Sequence, residues 1–448
     1  MVTQAGPVTS IGGTLGWWGN GTFITATPIL TPQLPARFPT PETPGLWHIR
    51  LTNLPSGWVE RFILVVPVHD TSEDIPLLVA FHRFGNTMWD IVINTQLPRE
   101  ANIRQWYLLA PLGASDISFS SMESQMNTEV AIELITELFN VDTQRIYGIG
   151  HSMGGGNALN YAARHVDPKK PMFAGLINHT GALSQRHSYD NDCDPLVGNC
   201  NNRWLWEFWY GGTSTTHLFE FLRTSVIDVP YQAGFPGIPA VDPRTDLARN
   251  LTHIPIQSWM ASNDPLPELI VQNLAFEAHM NSLGAPHQLI TIPSDQHTWA
   301  LLDYKTSLDW LGQQTLQVPL SGRTLADQDG TWFHFDITQD RTQTFSPFEW
   351  IIDQGSNTVS LLATENIARV VIDALSSGLD VSAGSTLTVR TNTADSTGDE
   401  IRITPVNSAP SSILRDGIIA TSWRYDASTK TLAFSETEST PHTWTINF

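Results

Sequence analysis

The sequence has few cysteines, few basic residues and no long apolar run. Lys and Arg number 24 against 44 Asp and Glu, which gives a formal net charge of −20 over 448 residues. Such a charge repels nucleic acid and anionic membranes, so we expect neither as a partner. No apolar run approaches the roughly 20 residues of a membrane-spanning helix. The opening "MVTQAGPVTSIGG" has no basic start followed by an apolar block, so no signal peptide is visible.

The two cysteines bear on the compartment in which the protein works. Cys193 and Cys200 are close enough in sequence to form one disulfide in an oxidising compartment, and two unpaired thiols are the alternative. The 16 Trp residues, the low Lys content and the many Thr, Pro and Gly residues favour a secreted or periplasmic protein, with a cytoplasmic one as the alternative. Sequons that matter only in a glycosylating host begin at Asn20, Asn178 and Asn250.

Strands and helices alternate between residues 46 and 317. "IPLLVAFH" and "WYLLAPLG" are continuous apolar runs, which indicates strands buried on both faces. "ESQMNTEVAIELITELFN" has helical spacing, "QRIYGIG" returns to strand, and further helices are predicted across 265–283 and 298–311. This alternation predicts a mostly parallel sheet covered by helices on both faces.

Three segments depart from this pattern. Residues 1–45 are rich in Gly, Thr and Pro and predict an extended arm. An aromatic-rich insertion at about 184–250 interrupts the alternation. In residues 318–448 the helical spacing vanishes, and short alternating runs such as "TWFHFDI" and "STLTVRT" predict a separate β-sandwich. The predicted fold class is therefore α/β, followed by an all-β domain.

The segment "GIGHSMGGG" combines a serine with a sharp turn. Residues 150–154 fit the pattern G-x-S-x-G, with a predicted strand before them and a predicted helix after them. In this setting the pattern predicts a nucleophile elbow, in which a tight turn lifts Ser152 above the end of the sheet. The two glycines are needed because side chains there would collide with neighbouring backbone. The alternative is a helix N-cap serine in a glycine turn.

A serine hydroxyl needs a base, and the base needs an acid that orients it. In this architecture they follow in the order Ser, acid, His, each after a later strand. Asp264 follows "IPIQSWMASN" and His297 follows "LITIPSDQ", so Ser152, Asp264 and His297 form the predicted catalytic set. The alternatives for these two residues are a helix cap and a surface histidine. Less well placed candidates for the base are His279 and His287. Less well placed candidates for the acid are Asp295 and Asp303, with Asp246 as a fallback.

Stabilising the oxyanion of a tetrahedral intermediate requires two N–H donors. The backbone N–H of Met153, directly after the predicted nucleophile, is the expected first donor. The second is expected from the loop after the third predicted strand, "FHRFGNT", at Phe84 or Arg83. These residues complete the predicted catalytic site.

Residues 60–312 resemble an α/β-hydrolase of the polyhydroxybutyrate-depolymerase and feruloyl-esterase type, and are also similar to dienelactone-hydrolase-like enzymes. The resemblance is carried by "ERFILVVPV", "PLLVAFHRFGNT", "VDTQRIYGIGHSMGGG", "IPIQSWMASNDP" and "DQHTW". It implies an α/β-hydrolase fold with a cap insertion, and a serine esterase. Members usually have Gly after His where this chain has Arg83. The guanidinium is therefore a candidate for holding a substrate carboxylate.

Aromatic residues near the predicted site are candidates for binding substrate. Trp204 and Trp206 in "WLWEFWY" predict an apolar wall for acyl or aryl groups, with core packing as an equal alternative. His151 and Trp299 are further substrate-binding candidates. Three tryptophans of the predicted sandwich are candidates for stacking on a polymer or glycan, with a packing role as the alternative: Trp332, Trp350 and Trp423.

The acidic segment "YDNDCDP" places aspartates at alternate positions, as calcium loops do. Asp190, Asp192 and Asp194 carry the pattern, but Pro195 stands where an EF-hand needs Gly and no Glu follows at the twelfth position. A solvated acidic loop is the preferred interpretation. We therefore predict no metal site.

Together these features predict a serine hydrolase that cleaves carboxylic esters through an acyl-enzyme and needs no cofactor. By resemblance, its substrates are polyester oligomers, aryl esters or ester groups on plant polymers. One alternative is a peptidase or amidase of the prolyl-oligopeptidase kind, although about 45 residues of arm are too few for the propeller that such enzymes carry. The other is a catalytically silent binding protein with this fold.

Overall fold

The computed structural model describes residues 14–19, 22–26, 39–192, 201–230, 240–242, 244–394 and 398–448. Cys193, Asp194, Cys200 and the sequon residue Asn20 lie outside the described residues. The described chain forms two compact units. The second unit contains residues 164–170, 244–253 and 318–448, and the remainder belongs to the first.

The first unit is built on one sheet with helices. Its described strands are β1 (Thr14–Gly19), β2 (Thr22–Ala26), β3 (Gly45–Thr52), β4 (Glu60–Val66), β5 (Ile75–Phe81), β6 (Tyr107–Pro111), β7 (Val141–His151), β8 (Gly175–His179), β9 (Ile256–Ala261) and β10 (His287–Ile292). The described α-helices are α1 (Trp89–Asn94), α2 (Leu97–Ile103), α3 (Met122–Leu138), α4 (Met153–Arg164), α5 (Gln185–Asn191), α6 (Arg203–Tyr210), α7 (Leu218–Arg223), α8 (Pro267–Ser282) and α9 (Tyr304–Leu311). A short 3₁₀ helix covers Trp299–Leu301, and another, Leu247–Leu251, belongs to the second unit.

The strand order in this sheet is β10-β9-β8-β7-β5-β6-β4-β3-β1-β2. The six strands from β10 to β6 run parallel, whereas β4 is antiparallel to both of its neighbours. The strands β3 to β10, with a sharp strand-to-helix turn after β7, form an α/β-hydrolase fold. The predicted fold class is therefore confirmed.

The apolar runs of the sequence form the centre of this sheet. Every residue of β5, β6, β8 and β9 is buried, as expected for strands covered on both faces. Helix α3 begins at an N-cap, Ser121, whose side chain accepts the Ser124 N–H. None of the described helices is long and apolar enough to cross a membrane.

The order of the central strands determines where a site forms. After β5 the chain adds β6 on one side and then returns to add β7 on the other side. In parallel sheets, ligands bind beyond the carboxyl ends of the strands where the winding direction reverses. Phe81 at the end of β5 lies opposite Gly150 in β7, so Arg83 and Ser152 follow neighbouring strand ends.

One predicted element differs from the structure. The helix predicted across 298–311 is interrupted, because Leu302 is extended and Asp303 caps a new helix by accepting the Thr306 N–H. Asp303 therefore lies at a helix start rather than inside the helix. The predicted arm contains β1 and β2, and β1 pairs with β3.

The second unit contains two β-sheets. Its described strands are β11 (Ser321–Ala326), β12 (Gly330–Trp332), β13 (Phe335–Gln339), β14 (Ser346–Asp353), β15 (Thr358–Thr364), β16 (Ile367–Asp373), β17 (Thr386–Thr393), β18 (Asp399–Thr404), β19 (Ser412–Arg415), β20 (Ile418–Ile419), β21 (Trp423–Asp426), β22 (Thr431–Glu436) and β23 (His442–Asn447). One sheet has the order β11-β14-β15-β17-β23-β19-β20, and the other has the order β12-β13-β16-β18-β22-β21.

Aromatic side chains join these two sheets into a sandwich. Phe335 of one sheet contacts Trp350 of the other at 5.5 Å between ring centroids, and Phe434 contacts Trp444 at 4.4 Å. Trp350 is 1% exposed and Trp332 is 2% exposed. The predicted stacking role is therefore wrong for Trp332 and Trp350, which pack in the core. Trp423 is partly exposed.

The described sequon residues, Asn178 and Asn250, are buried. Asn178 donates to Ser258 Oγ and Asn273 Oδ1, and Asn250 exchanges hydrogen bonds with the backbone of Leu325. A glycan attached to either asparagine would have no room in the folded protein.

A buried ion pair in the second unit gives a first stability prediction. Arg164 donates its Nε–H and an Nη2–H to the Asp327 carboxylate, and the two side chains are 3% and 0% exposed. We expect Asp327→Asn to lower the free energy of unfolding by about 3–5 kcal/mol, because it leaves a guanidinium buried without its counter-charge. Urea unfolding followed by circular dichroism measures this loss.

The control for this variant is the exposed pair Arg323–Glu349, whose side chains are 66% and 42% exposed. We expect Glu349→Gln to cost less than about 1 kcal/mol, because solvent screens exposed pairs. Equal small losses in both variants would contradict the assignment of a stabilising role to the buried pair.

Candidate active site

Ser152 occupies a strained turn between β7 and α4. Its φ of +58° lies in the left-handed region, which non-glycine residues seldom adopt. The turn is held by the Ser152 N–H, which donates to His179 O at 2.9 Å. The Ser152 carbonyl oxygen accepts from Gly155 N at 3.0 Å and from Ala182 N at 3.1 Å. Strain of this kind persists only where surrounding contacts fix it, and it concentrates at functional sites.

The two glycines of the turn are required by close backbone approach. A Cβ added at Gly150 would lie 2.0 Å from Gly154 O, and one added at Gly154 would lie 2.2 Å from Phe81 O. Both contacts are with backbone that cannot rotate away. These distances agree with the nucleophile elbow predicted from the sequence.

Asp264 and His297, which are 33 residues apart, form a hydrogen bond. Asp264 Oδ2 lies 2.8 Å from His297 Nδ1, and the two side chains are 1% and 16% exposed. Asp264 Oδ1 also accepts the Leu266 N–H at 3.0 Å, just before α8. A carboxylate only accepts hydrogen bonds, so a proton on Nδ1 leaves the lone pair of a neutral imidazole on Nε2.

Ser152 and His297 line the same cavity. Its volume is about 390 Å³, which is within the usual range for small-molecule sites. Within the described residues, His297 Nε2 has no hydrogen-bond partner. Ser152 Oγ and His297 Nε2 line one cavity but are not hydrogen-bonded to each other, and the Nε2 lone pair is unpaired. Catalytic hydrogen bonds are often long before substrate binds.

One wall of the cavity is aromatic. Phe119 stacks on Trp206, with ring centroids 4.3 Å apart and an interplanar angle of 20°, and Phe84 lies 5.4 Å from Phe119. Leu266 and Leu269 add further apolar surface. Trp206 thus lines the cavity while remaining 6% exposed. Trp204, by contrast, is 61% exposed and is not part of the lining, so the structure separates these two predicted residues.

The cavity also contains two carboxylates and several amides. Asp192 is bound by the backbone and side-chain nitrogens of Asn202. Glu268 lies in the first turn of α8, where burial and then the negative charge of Asp264 raise the pKa of its carboxyl above the ordinary value. The cavity therefore combines an apolar wall with hydrogen-bond acceptors.

Two stacked histidines lie under His297. His151 and His179 are opposite each other in β7 and β8, with ring centroids 4.2 Å apart, and His151 lies 4.4 Å from the His297 ring. Burial, and then the positive charges of His297 and Arg83, lower the pKa of His179 to about 3. Burial first, and then His179 and His297, hold the pKa of His151 well below its ordinary value.

This stack corrects the prediction that His151 binds substrate. His151 is 0% exposed, because its strand position directs the ring into the protein. It supports the underside of the His297 ring instead.

Asp90, a residue not predicted from the sequence, connects two loops of the site. Its Oδ1 accepts from Arg83 Nη2 at 2.7 Å and from Asn94 Nδ2 at 2.8 Å. Its Oδ2 accepts from Arg83 Nε at 3.1 Å and from Trp299 Nε1 at 3.0 Å. Burial alone would raise the pKa of this carboxyl, but the hydrogen bonds from Arg83, Asn94 and Trp299 hold it below the ordinary value.

These contacts correct two further predictions. The Arg83 guanidinium is occupied by Asp90, so it does not offer a free cation to a substrate carboxylate, although Arg83 lines the cavity. Trp299 is 1% exposed and packs edge-on against His151, so it supports the site from below rather than contacting substrate.

The two predicted oxyanion donors occupy the same cavity. Met153 and Phe84 both line it, and within the described part of the chain neither backbone N–H donates to a protein acceptor. The Arg83 N–H donates to Asp90 Oδ2 at 3.3 Å. Of the two residues left open by the sequence, Phe84 therefore retains the available N–H.

Two of the less well placed candidates, His287 and Asp246, have other partners. His287 contacts Ser258 Oγ and Glu277, and Asp246 accepts the Ala248 N–H at the start of a 3₁₀ helix. Asp295 is exposed. Asp190 accepts from Ser214 Oγ, so both described aspartates of the acidic segment are bound by protein donors. The described residues contain no group of three or more His, Cys, Asp or Glu side chains arranged to hold a metal.

Several cavity residues were missed because they come from distant parts of the chain. Phe119 precedes α3 and Leu269 lies within α8, and neither has a sequence pattern that marks a site. Asp90 had a weak signal. It is the one acidic residue in the otherwise uncharged stretch "FGNTMWDIVIN", and such a residue in an apolar helix usually needs a buried partner.

Comparisons with known proteins found solved structures that resemble this chain. No family model and no curated protein matches the chain. The fluorophosphonate-binding serine hydrolase F of Staphylococcus aureus is 16% identical with a TM-score of 0.44, covering 60% of this chain and 99% of its own. An S-formylglutathione hydrolase from Agrobacterium tumefaciens is 14% identical with a TM-score of 0.44, covering 60% and 95%.

A peptidase is among the similar structures as well. The acylaminoacyl peptidase of Pyrococcus horikoshii is 15% identical with a TM-score of 0.44, covering 61% of this chain and 42% of its own. At these identities and TM-scores the similarities carry no argument about activity. The fold assignment therefore depends on the strand order and the elbow described above.

The close approach at Gly150 predicts a large effect of one methyl group. We expect Gly150→Ala to lower the free energy of unfolding by about 3 kcal/mol or more, since the added Cβ would overlap backbone that cannot move. Thermal unfolding measures the loss. Gly355→Ala is the control, because its Cβ would meet only Asp353 Oδ1 at 3.4 Å, and we expect a change within about 0.5 kcal/mol. A tolerated Gly150→Ala would contradict the elbow geometry.

The depressed pKa of His179 predicts a pH-dependent stability. Below about pH 6.5 the unfolded chain binds a proton at this residue and the folded chain does not until about pH 3, so stability falls as the pH falls through this window. We expect His179→Gln to remove about 2 kcal/mol of the stability difference between pH 7 and pH 5. Urea unfolding at both pH values measures it.

The exposed His217→Gln is the control and is expected to keep the pH dependence of the parent protein. An unchanged difference between pH 7 and pH 5 in His179→Gln would show that His179 is not held neutral by the fold.

Proposed function

We propose that this protein is a serine hydrolase that cleaves carboxylic esters through an acyl-enzyme intermediate. The observation that carries the proposal is the 2.8 Å hydrogen bond between Asp264 and His297, at a cavity that also contains Ser152 on a strained turn. These residue types supply the nucleophile, the base and the orienting acid that acyl transfer requires.

His297 Nε2 takes the Ser152 hydroxyl proton as Oγ attacks the ester carbonyl carbon. A C–O bond forms, and the carbonyl electron pair moves onto oxygen. The intermediate collapses by breaking the bond to the alcohol oxygen, which receives the proton from His297. Water then repeats the sequence with His297 as base and releases the acid and free Ser152. Asp264 holds the imidazole in the tautomer that leaves Nε2 unprotonated.

The oxyanion of each intermediate is stabilised by the backbone N–H groups of Met153 and Phe84. Met153 begins α4, so the partial positive charge of the helix N-terminus adds to its N–H. Fixed donors of this kind stabilise the transition state by several kcal/mol, typically about 3–4 for one donor. Arg83 is not an oxyanion donor, because its backbone N–H and its guanidinium both bind Asp90.

The cavity favours esters with an apolar or aromatic acyl or alcohol group. The stacked Phe119 and Trp206 offer a flat apolar wall, and Glu268 and Asp192 disfavour a negatively charged group by repulsion. Aryl esters and uncharged ester groups of polyesters or plant polymers fit this chemistry. A substrate carboxylate does not.

A kinetic comparison tests the proposal with p-nitrophenyl esters. We expect Ser152→Ala and His297→Ala to lower kcat/KM by at least about 10³-fold, because each removes a group that acts in the transition state. Ser152→Ala is also expected to lose labelling by a fluorophosphonate probe. Full activity in Ser152→Ala would refute the assignment.

Two controls make the comparison specific. Ser188→Ala changes another serine of the same cavity, and we expect it to keep both labelling and the order of magnitude of kcat. Parallel assays with peptide substrates distinguish an esterase from a peptidase: cleavage of peptides at rates equal to those of esters would replace the ester assignment with the peptidase one. A wild-type protein that neither labels nor hydrolyses would support the silent binding protein.

A further inference from the structure

Two loops of the candidate site come from strands that are far apart in the sheet. Arg83 and Phe84 follow β5, whereas His297 follows β10, and β7, β8 and β9 lie between these strands. Strands β5 and β10 are not hydrogen-bonded to each other, so no bond of the sheet joins the two loops directly. A contact that joins them directly would hold the oxyanion donors and the base more precisely in position.

Asp90 makes that contact. Its side chain is 0% exposed and accepts three hydrogen bonds from Arg83, counting the backbone N–H at 3.3 Å. The same Oδ2 atom that accepts the Arg83 N–H also accepts Trp299 Nε1 at 3.0 Å. One buried carboxylate thus binds the residue before Phe84 and the second residue after His297.

Each end of this connection is held by further contacts. The ring of His82 lies between the carbonyl oxygens of Arg83 and Leu112, at 2.9 and 3.0 Å, which fixes the loop after β5. The carbonyl oxygen of Trp299 accepts Tyr304 Oη–H at 3.0 Å, and its ring packs on His151 under His297. Movement of Asp90 would therefore change both loops together.

We infer that Asp90 is a positioning residue that sets the distance between the oxyanion donor at Phe84 and the base at His297, by binding Arg83 and Trp299 at once. The inference rests on the proposed function, because it assigns Asp90 a role in that reaction. Through the Arg83 guanidinium, Asp90 holds the loop after β5 in place.

The first test is Asp90→Asn, which keeps the shape of the side chain but places an NH₂ group among donors. We expect kcat for p-nitrophenyl esters to fall about 10²-fold with KM changed less than about threefold, because misplacement weakens transition-state contacts more than ground-state binding. The matched control is Asp327→Asn, which also breaks a buried arginine–carboxylate pair but lies in the second unit. It is expected to lose stability and keep kcat within about twofold.

The second test uses variants that each change one of the two side chains bound by Asp90. These variants do not require that Asp90→Asn folds. Trp299→Phe removes the Nε1 donor and keeps a ring, and Arg83→Lys keeps the charge and loses the bidentate fork. We expect each to lower kcat about tenfold with KM unchanged. Where Asp90→Asn folds, adding Trp299→Phe to it should cause no further loss, because the shared contact is already gone.

The outcomes separate this inference from the proposed function. A wild-type kcat in both Trp299→Phe and Arg83→Lys would overturn the positioning role. So would a loss of kcat in Asp90→Asn that Asp327→Asn reproduces. In either case Ser152→Ala would remain inactive. Full activity in Ser152→Ala would instead overturn the proposed function itself. A coupled loss confined to kcat in the Asp90, Arg83 and Trp299 variants supports the inference.

Discussion

The tight turn that holds Ser152 at a φ of +58° is the constraint on which the rest of the site depends. The turn exists only because Gly150 and Gly154 allow backbone to approach to distances that a Cβ would block. It places the serine beyond the carboxyl end of β7, next to the end of β5, where the winding direction of the sheet reverses. The proposed roles of the other groups depend on this position of the serine: Asp264, His297 and the N–H groups of Phe84 and Met153.

Burial controls the charges around this turn. His151 and His179 form a neutral layer beneath His297, because burial and nearby positive charge oppose their protonation. Arg83 brings a permanent positive charge to the same region, and the buried carboxylate of Asp90 compensates it. The site thus contains a paired charge and uncharged imidazoles rather than several competing cations. This arrangement leaves His297 as the imidazole that faces the cavity.

The part of the structure that was predicted from the sequence is the part fixed by local pattern. The apolar runs of β5 and β6 and the turn at 150–154 are encoded by neighbouring residues, so the fold class was confirmed. Asp264 and His297 were chosen from their places after strands, and the structure brings them together, while their catalytic role stays a prediction. Trp350 was misassigned because an alternating strand pattern does not tell which face is buried.

The walls and supports of the site were not predictable because they depend on tertiary contacts. Phe119 and Trp206 are 87 residues apart in sequence and meet only in the folded chain. Asp90 binds Trp299 across 209 residues, and no spacing rule links the two positions. The helix predicted across 298–311 failed for a local reason, since Asp303 is a capping residue that starts a new helix.

The most direct measurement of the central claim is the location of the acyl group during turnover. A reaction with a p-nitrophenyl ester is quenched in acid within the first turnover, and the digested protein is sequenced by tandem mass spectrometry. The account predicts one acyl group per chain, attached to the oxygen of Ser152. An acyl group on another residue would contradict it. So would release of p-nitrophenol in the first turnover without any acylated protein.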